Sequence, residues 1–522
     1  MAVINNNSSV FQRIPNELAN RIFDFLPNRD IKNLRLTCRY LNCHAPLRFN
    51  RVFVSANPLN VKVFLAIANH DTFRQQVKEL IWDDATLQSA RSSGNDSDDD
   101  YGSDEDSSDD NDYQGQSRFQ RGCREAIEDA ESRLVDKADG NEQQSLLDNL
   151  MPSGRALSYY ERLVEEQTDV LETRADEEAV RYALQESRFP HLIKVTVTPA
   201  AHGFLFFPLY ETPMIRAFPR GFVYPIPRGW TYAIGIYVPG RSQPWEDADE
   251  KRKWRGFQII SRLLADPEMS CNVPELSFDT HQLPTGINHC IFDQPNEEYD
   301  NLCRILERPG LKRITLSVLM GWLSNQDAED WNFLKKGKVR TALAKSSGLE
   351  EVTFQTDYPV DQHCWASPAV DTVSLFDIFP IDKWATGKTL KHFGLSGMQV
   401  TQEELISVLG KLPLTLQSIE LSFLSVIKGT GNHAGILADI RDKLGWKHRP
   451  ANQRIKVRIL VRSDQDIGRY ICLDKEVNDY LYNNGPTPFG VDGSGGSWAM
   501  ITSGTGMEYD EFDPAFVRPF EG

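Results

Sequence analysis

The feature that most constrains this chain is a recurring apolar-x-x-apolar-x-apolar signature, most copies preceded by a Gly or Pro break. It occurs at Leu311, Ile314, Leu316 after Pro309-Gly310 and at Leu349, Val352, Phe354 after Ser347-Gly348. It recurs at Leu390, Phe393, Leu395 after Gly387-Lys388-Thr389, and at Leu416, Ile419, Leu421 after Pro413-Leu414-Thr415. Leu192, Val195, Val197 and Val273, Leu276, Phe278 fit it, as do Val77, Leu80, Trp82. The last two apolar positions of each copy stand two apart, on one face of a strand. Helical patterns such as 331–345, 373–384 and 402–412 lie between copies. A strand and a helix cannot bury their apolar sides alone, but stacked units share one core. The expected fold class is α/β, with an irregular repeat domain over 189–482 and its first strand and helix at 51–85. The residues between the apolar positions would form the binding face: Lys312, Arg313, Thr315; Glu350, Glu351, Thr353; Lys391, His392, Gly394.

The chain's 522 residues are 40% hydrophobic, enough for a sizeable core. The formal charge is −17, the wrong sign for a nucleic-acid binder. Much of it is local: residues 96–112 hold ten acids and no base, leaving −17 + 10 = −7 elsewhere. Residues 86–188 read as an insertion: an acidic disordered loop at 89–116, then helices with a narrow apolar face including Tyr160, Leu163, Val180 and Leu184. Glu177 and Arg181 stand at helix-stabilising spacing. Ser97, Ser103 and Ser107 each have an acid three residues on, which suits acid-directed kinases; the alternative is a solvated surface loop. Residues 483–522, rich in Gly, Pro, Ser and Asp, are expected as an irregular cap packed through Trp498, Phe512, Phe516 and Phe520.

Eight scattered Cys without a CxxC pair exclude a disulfide-rich secreted scaffold. With no secretory leader pattern at MAVINNNSSV and no apolar run near about 20 residues, a reduced cytoplasmic and/or nuclear protein without membrane contact is expected. No catalytic, cofactor or metal site is expected. Asp492-Gly493-Ser494-Gly495-Gly496 lacks a His partner region, Gly387-Lys388-Thr389 precedes its strand instead of following it, and His363-Cys364 and Cys43-His44 lack further ligands at zinc spacing.

Residues 11–50 form a distinct unit. Pro15 suits a first helical turn, Leu18, Ile22, Phe25 and Leu26 share a helix face, and Pro27-Asn28 ends the helix. A second helix carries Asp30, Ile31, Leu34 and Leu36, and a third runs through Cys38, Leu41 and Ala45. So small a unit needs something to pack on. The runs Arg13-Ile14-Pro15-Asn16-Glu17-Leu18, Ile22-Phe23-Asp24-Phe25-Leu26-Pro27 and Asp30 to Arg39 resemble an F-box, with Ile14 in place of the usual Leu. The whole resembles an F-box protein of filamentous-fungal type: a three-helix F-box, then an irregular leucine-rich-repeat-like solenoid with the acidic insertion. The resemblance implies a non-catalytic substrate receptor of an SCF-type ubiquitin ligase. Its Skp adaptor, and through it a cullin scaffold, would bind via Ile14, Pro15, Leu18, Ile22, Leu26, Leu34 and Cys38, while the repeat domain holds an unknown protein substrate. The alternatives are a non-ligase F-box scaffold, and a repeat protein whose N-terminal helices only cap its core.

Overall fold

The computed structural model describes residues 14–26, 28–90, 118–135, 142–230, 242–269, 272–320, 332–357, 373–463, 467–490 and 501–520. Three short helices, α1 (Asn16–Phe25), α2 (Asn28–Thr37) and α3 (Arg39–His44), open it. The strands in chain order are β1 (Arg51–Val54), β2 (Glu79–Asp83), β3 (Lys194–Thr198), β4 (Glu275–Phe278), β5 (Ile287–Asn288), β6 (Arg313–Leu319), β7 (Glu351–Thr356), β8 (His392–Ser396), β9 (Gln399–Val400), β10 (Ser418–Ser422), β11 (Ser425–Val426), β12 (Lys456–Arg458), β13 (Leu460–Arg462), β14 (Arg469–Cys472), β15 (Met507–Asp510) and β16 (Asp513–Pro519).

The main sheet runs β1-β2-β3-β4-β6-β7-β8-β10-β12, parallel throughout, each strand beside the next long one in sequence, with β5 added along β6. All seven signature triplets lie at these strands. Leu80 and Trp82, Val195 and Val197, Leu276 and Phe278, Ile314 and Leu316, Val352 and Phe354, Phe393 and Leu395, and Ile419 and Leu421 are buried in one core. That core also takes Phe64, Phe257, Leu302, Leu343, Leu409 and Leu437 from the intervening helices, so the helices cover this side of the sheet. Asn57, Asn296, Thr401 and Asn432 start four of these helices, each accepting a backbone N–H of the first turn. The result is a mixed α/β body on a parallel sheet.

Three departures from the sequence reading have physical causes. First, β12 is a ninth strand, with Val457 in the core between buried Ile455 and Ile459. Its strict two-residue alternation lacks the leading apolar residue of the signature. Its outer edge is closed by side chains of the helix Asp474–Tyr482: Asn478 bonds both Val457 N (3.3 Å) and Val457 O (2.8 Å), and Asp474 accepts from Ile459 N (3.2 Å).

Second, the segment read as an insertion does stand between the neighbouring strands β2 and β3, but its helices pack into the body, which the sequence reading did not foresee. Its helix Ala175–Gln185 lies in the main core through Val180 and Leu184, and the Glu177–Arg181 pair forms at 2.9 Å. Asp176 and Glu177 are tied to Arg255 and Arg262 of the helix Arg255–Ala265. A second core joins the helices Arg118–Leu134 and Ser153–Thr173 to Leu205, Phe222 and Tyr224.

Third, the tail expected as an irregular cap supplies β15 and β16 of a four-stranded antiparallel sheet with β13 and β14. The turn of its β15–β16 hairpin reaches back to the loops after β3 and β4. There Phe512 packs edge-on against Phe204 (5.0 Å), and Glu511 accepts from His281 Nδ1 at 2.9 Å. Arg133, almost fully buried, binds Asp510 and the Ile467 carbonyl, with its guanidinium 3.6 Å from the Phe204 ring centre.

Candidate functional site

The N-terminal helices have a core of their own. Ala19, Phe23, Ile31, Leu41 and Ala45 are buried together, and Ile14, Leu26, Leu34 and Cys38 lean on them half-buried. Pro15 caps α1 from outside, its carbonyl accepting from Leu18 N and Ala19 N (both 3.0 Å). Short contacts tie the helices to the connecting stretch before β1, and that stretch to the sheet body. Asn28 and Arg48 bond reciprocally, Arg48 also reaches the Asp24 and Leu26 carbonyls, and Phe49 packs on Phe73 (4.5 Å).

The apolar face that the helix spacing picked out divides: Leu26 leans on this core, whereas Leu18, Ile22 and Phe25 do not. Leu18 is 51%, Ile22 41% and Phe25 88% exposed, and Leu36 on α2 is 86% exposed. The seven sequence-chosen residues therefore divide. Pro15, Leu18 and Ile22 face outward, whereas Ile14, Leu26, Leu34 and Cys38 support the fold. Phe25 and Leu36 are outward residues absent from that set, though both are apolar positions of the predicted helices. Fully burying such a side chain is worth about 1.5–3 kcal/mol, so leaving four in water on two short helices forgoes a sizeable stabilisation.

The sheet face opposite the core is the second candidate. Along its lower edge the register aligns Arg51, Glu79, Lys194, Glu275, Arg313 and Glu351 as neighbours on successive strands. The row neutralises itself: Arg51–Glu79 at 2.7 Å, Lys194–Glu275 at 3.1 Å, Arg313–Glu275 at 2.6 Å. Beside it, Glu350 is held by Lys391 (2.6 Å) and Lys312 (3.5 Å), and the Lys391 contact lowers its pKa. The next row is small: Thr196, Ser277, Thr315, Thr353, Gly394. Thr196 and Ser277 are covered, whereas Thr315, Thr353 and His392 remain half-buried. A Cβ on Gly394 would meet Thr353 Oγ1 at 2.9 Å, so the floor there needs glycine.

Where the C-terminal hairpin closes this face, titratable groups meet. Tyr210 OH lies 3.2 Å from His281 Nε2, and the carboxylates Asp279 and Glu511 raise the His281 pKa against the effect of its burial. Deeper in, Asp83 Oδ2 lies 3.6 Å from His202 Nε2, and His202 Nδ1 lies 3.0 Å from Tyr224 OH. Burial pushes Asp83 up to about 8 and His202 down to about 3. All three side chains are closed to solvent and pack within the fold.

Other sequence candidates resolve simply. Lys388, of Gly387-Lys388-Thr389, is the left-handed C-cap of the helix Ile381–Gly387, so the triplet ends a helix and cradles no phosphate. Cys43 and His44 are exposed on α3, with the His44 ring stacked on Tyr40. Ser97, Ser103, Ser107, His363-Cys364 and Asp492 to Gly496 lie outside the described residues. No described helix is long and apolar enough to cross a membrane.

Compared with known proteins, the chain matches the F-box-like family over residues 11–53, the stretch that forms α1–α3 and β1. A search of curated proteins found no match.

Proposed function

We propose that this F-box-bearing chain is a substrate-receptor subunit of an SCF-type ubiquitin ligase. In this reading the helices within residues 11–50 bind a Skp adaptor, the adaptor binds a cullin, and the sheet body holds a target protein. The chain performs no chemistry. It raises the concentration of the target beside a ubiquitin-charged enzyme, which is a tethering effect. We read the sheet body as an irregular leucine-rich-repeat solenoid of filamentous-fungal type, its half-buried Thr315, Thr353 and His392 facing the target, in the cytoplasm and/or nucleus.

The observation that carries this reading is a set of outward apolar side chains, Leu18, Ile22 and Phe25 on α1 and Leu36 on α2, on a unit whose core is complete without them. That separation also speaks against the helices serving only to cap the sheet. The test is capture of the full chain by purified Skp adaptor, against Leu18→Asp/Ile22→Asp. Loss of capture with unchanged circular dichroism supports the reading; failure of the native chain to bind removes it. Cullin in the captured complex separates a ligase subunit from a non-ligase scaffold.

A further inference from the structure

In a chain of net charge −17, residues 441–458 carry seven Lys and Arg against one acid, a local charge of 7 − 1 = +6. The remainder therefore carries −17 − 6 = −23. The segment runs from the end of the helix His433–Lys443 through the left-handed Gly445 into β12. Its flanks are paired with carboxylates: Arg441–Asp442 at 2.8 Å, Lys443–Asp439 at 2.8 Å, and Arg458 with Glu420 and Asp474. Its centre is not. Lys447 donates to the Asn484 side chain (2.8 Å), Arg449 to the Leu414 and Leu416 carbonyls (3.4 and 3.2 Å), and the Arg454 guanidinium sits 5.2 Å from the Tyr482 ring centre. Lys456 and His448 are exposed. By contrast, Arg51–Glu79, Lys194–Glu275 and Arg313–Glu275 pair acid with base along the row of strand ends. The Arg449 contacts bring the loop beside Leu414, which is 87% exposed.

We propose that this corner is a docking surface for an acidic polypeptide segment, with Lys447, Arg449, Arg454 and Lys456 taking carboxylates and Leu414 taking an apolar side chain. A short acidic segment fits better than a nucleic acid. A polynucleotide is charged along its whole length and would run past the patch onto a body carrying the opposite balance of charge, whereas at physiological salt a short segment feels charges only within about 8 Å. The exposed Leu414 also offers nothing to a phosphate backbone. The inference does not depend on adaptor binding.

The test is fluorescence anisotropy with the full chain and a labelled 15-residue Glu-rich peptide containing one Leu. Saturable binding is expected, weakening about tenfold between 50 and 300 mM salt. Lys447→Glu/Lys456→Glu should weaken it at least about tenfold, and Leu414→Ser about threefold, with circular dichroism unchanged, whereas Lys62→Glu on the helix Pro58–Ala68 should leave it unaltered. No saturable binding, an indifferent double variant, or tighter binding of a 15-nucleotide single-stranded RNA would each overturn the proposal.

Discussion

Replacing Asp84 by Asn should destabilise the sheet body far more than its near-identical shape implies. Three donors converge on this buried carboxyl, one local and two from distant segments: Trp82 Nε1 (3.1 Å to Oδ1), Trp230 Nε1 (2.9 Å to Oδ2), and Gly256 N (2.8 and 2.9 Å). Burial raises its pKa, and the hydrogen bonds from Trp230, Gly256 and Trp82, with the nearby Arg255 charge, act against that rise in favour of the carboxylate. An asparagine has one acceptor oxygen. Whichever way its amide turns, an NH2 faces an N–H, and one indole is left buried without a partner. An unsatisfied buried donor costs about 1–3 kcal/mol, and losing charge-assisted bonds adds to it, so about 3 kcal/mol is expected. The site has no slack for relaxation, because a Cβ on Gly256 would already stand 2.3 Å from Trp82 Nε1. The assay is urea unfolding followed by tryptophan fluorescence, which reports on both indoles. A loss below about 1 kcal/mol would refute the view that this carboxylate is matched to its donors.

Two further predictions concern other parts of the chain. Phe23→Ala, in the small helical core, should cost that unit about 3–5 kcal/mol and abolish hydrogen-exchange protection of α1 while the sheet body keeps its own; protection surviving in α1 would contradict the core assignment. Asp83 and His202 should give stability a pH signature. The folded protein holds the Asp83 proton up to about 8, so its contribution, full below about 4, is lost as pH rises. His202, kept neutral down to about 3, contributes in the opposite sense between 3 and about 6.5. The two slopes oppose each other below about 6.5, and from there to 8 only the Asp83 decline remains, about 2 kcal/mol in all. Asp83→Asn should flatten that decline, and identical slopes for variant and native chain between pH 6.5 and 8.5 would disprove the coupling.

Most of the long strands were legible because each buries two side chains two residues apart, usually after a Gly or Pro break, a local pattern. The face of α1 was legible only as apolar. Ala19 and Phe23 go inward while Leu18 and Ile22, one residue earlier in each case, go outward, and a helix with apolar residues on adjacent stripes does not declare which stripe meets its own core. The return of the C-terminal hairpin was invisible because its anchors are remote: Arg133 meets Asp510, and His281 meets Glu511, across hundreds of residues. No periodicity encodes such a pairing. The corner at Lys447 and Leu414 was overlooked for another reason: its charge was averaged into an acidic whole.

The row Arg51, Glu79, Lys194, Glu275, Arg313, Glu351 carries a parity. Deleting the single unit that bears β3 would set Glu79 directly against Glu275, and duplicating it would set Lys194 against its own copy. Like charges directly opposite are destabilising, so one-unit changes in length are penalised, while removing or adding two adjacent units restores the alternation. An array built this way is expected to lengthen and shorten in pairs. A designer trimming this protein should cut out β3 and β4 together and leave neither behind alone.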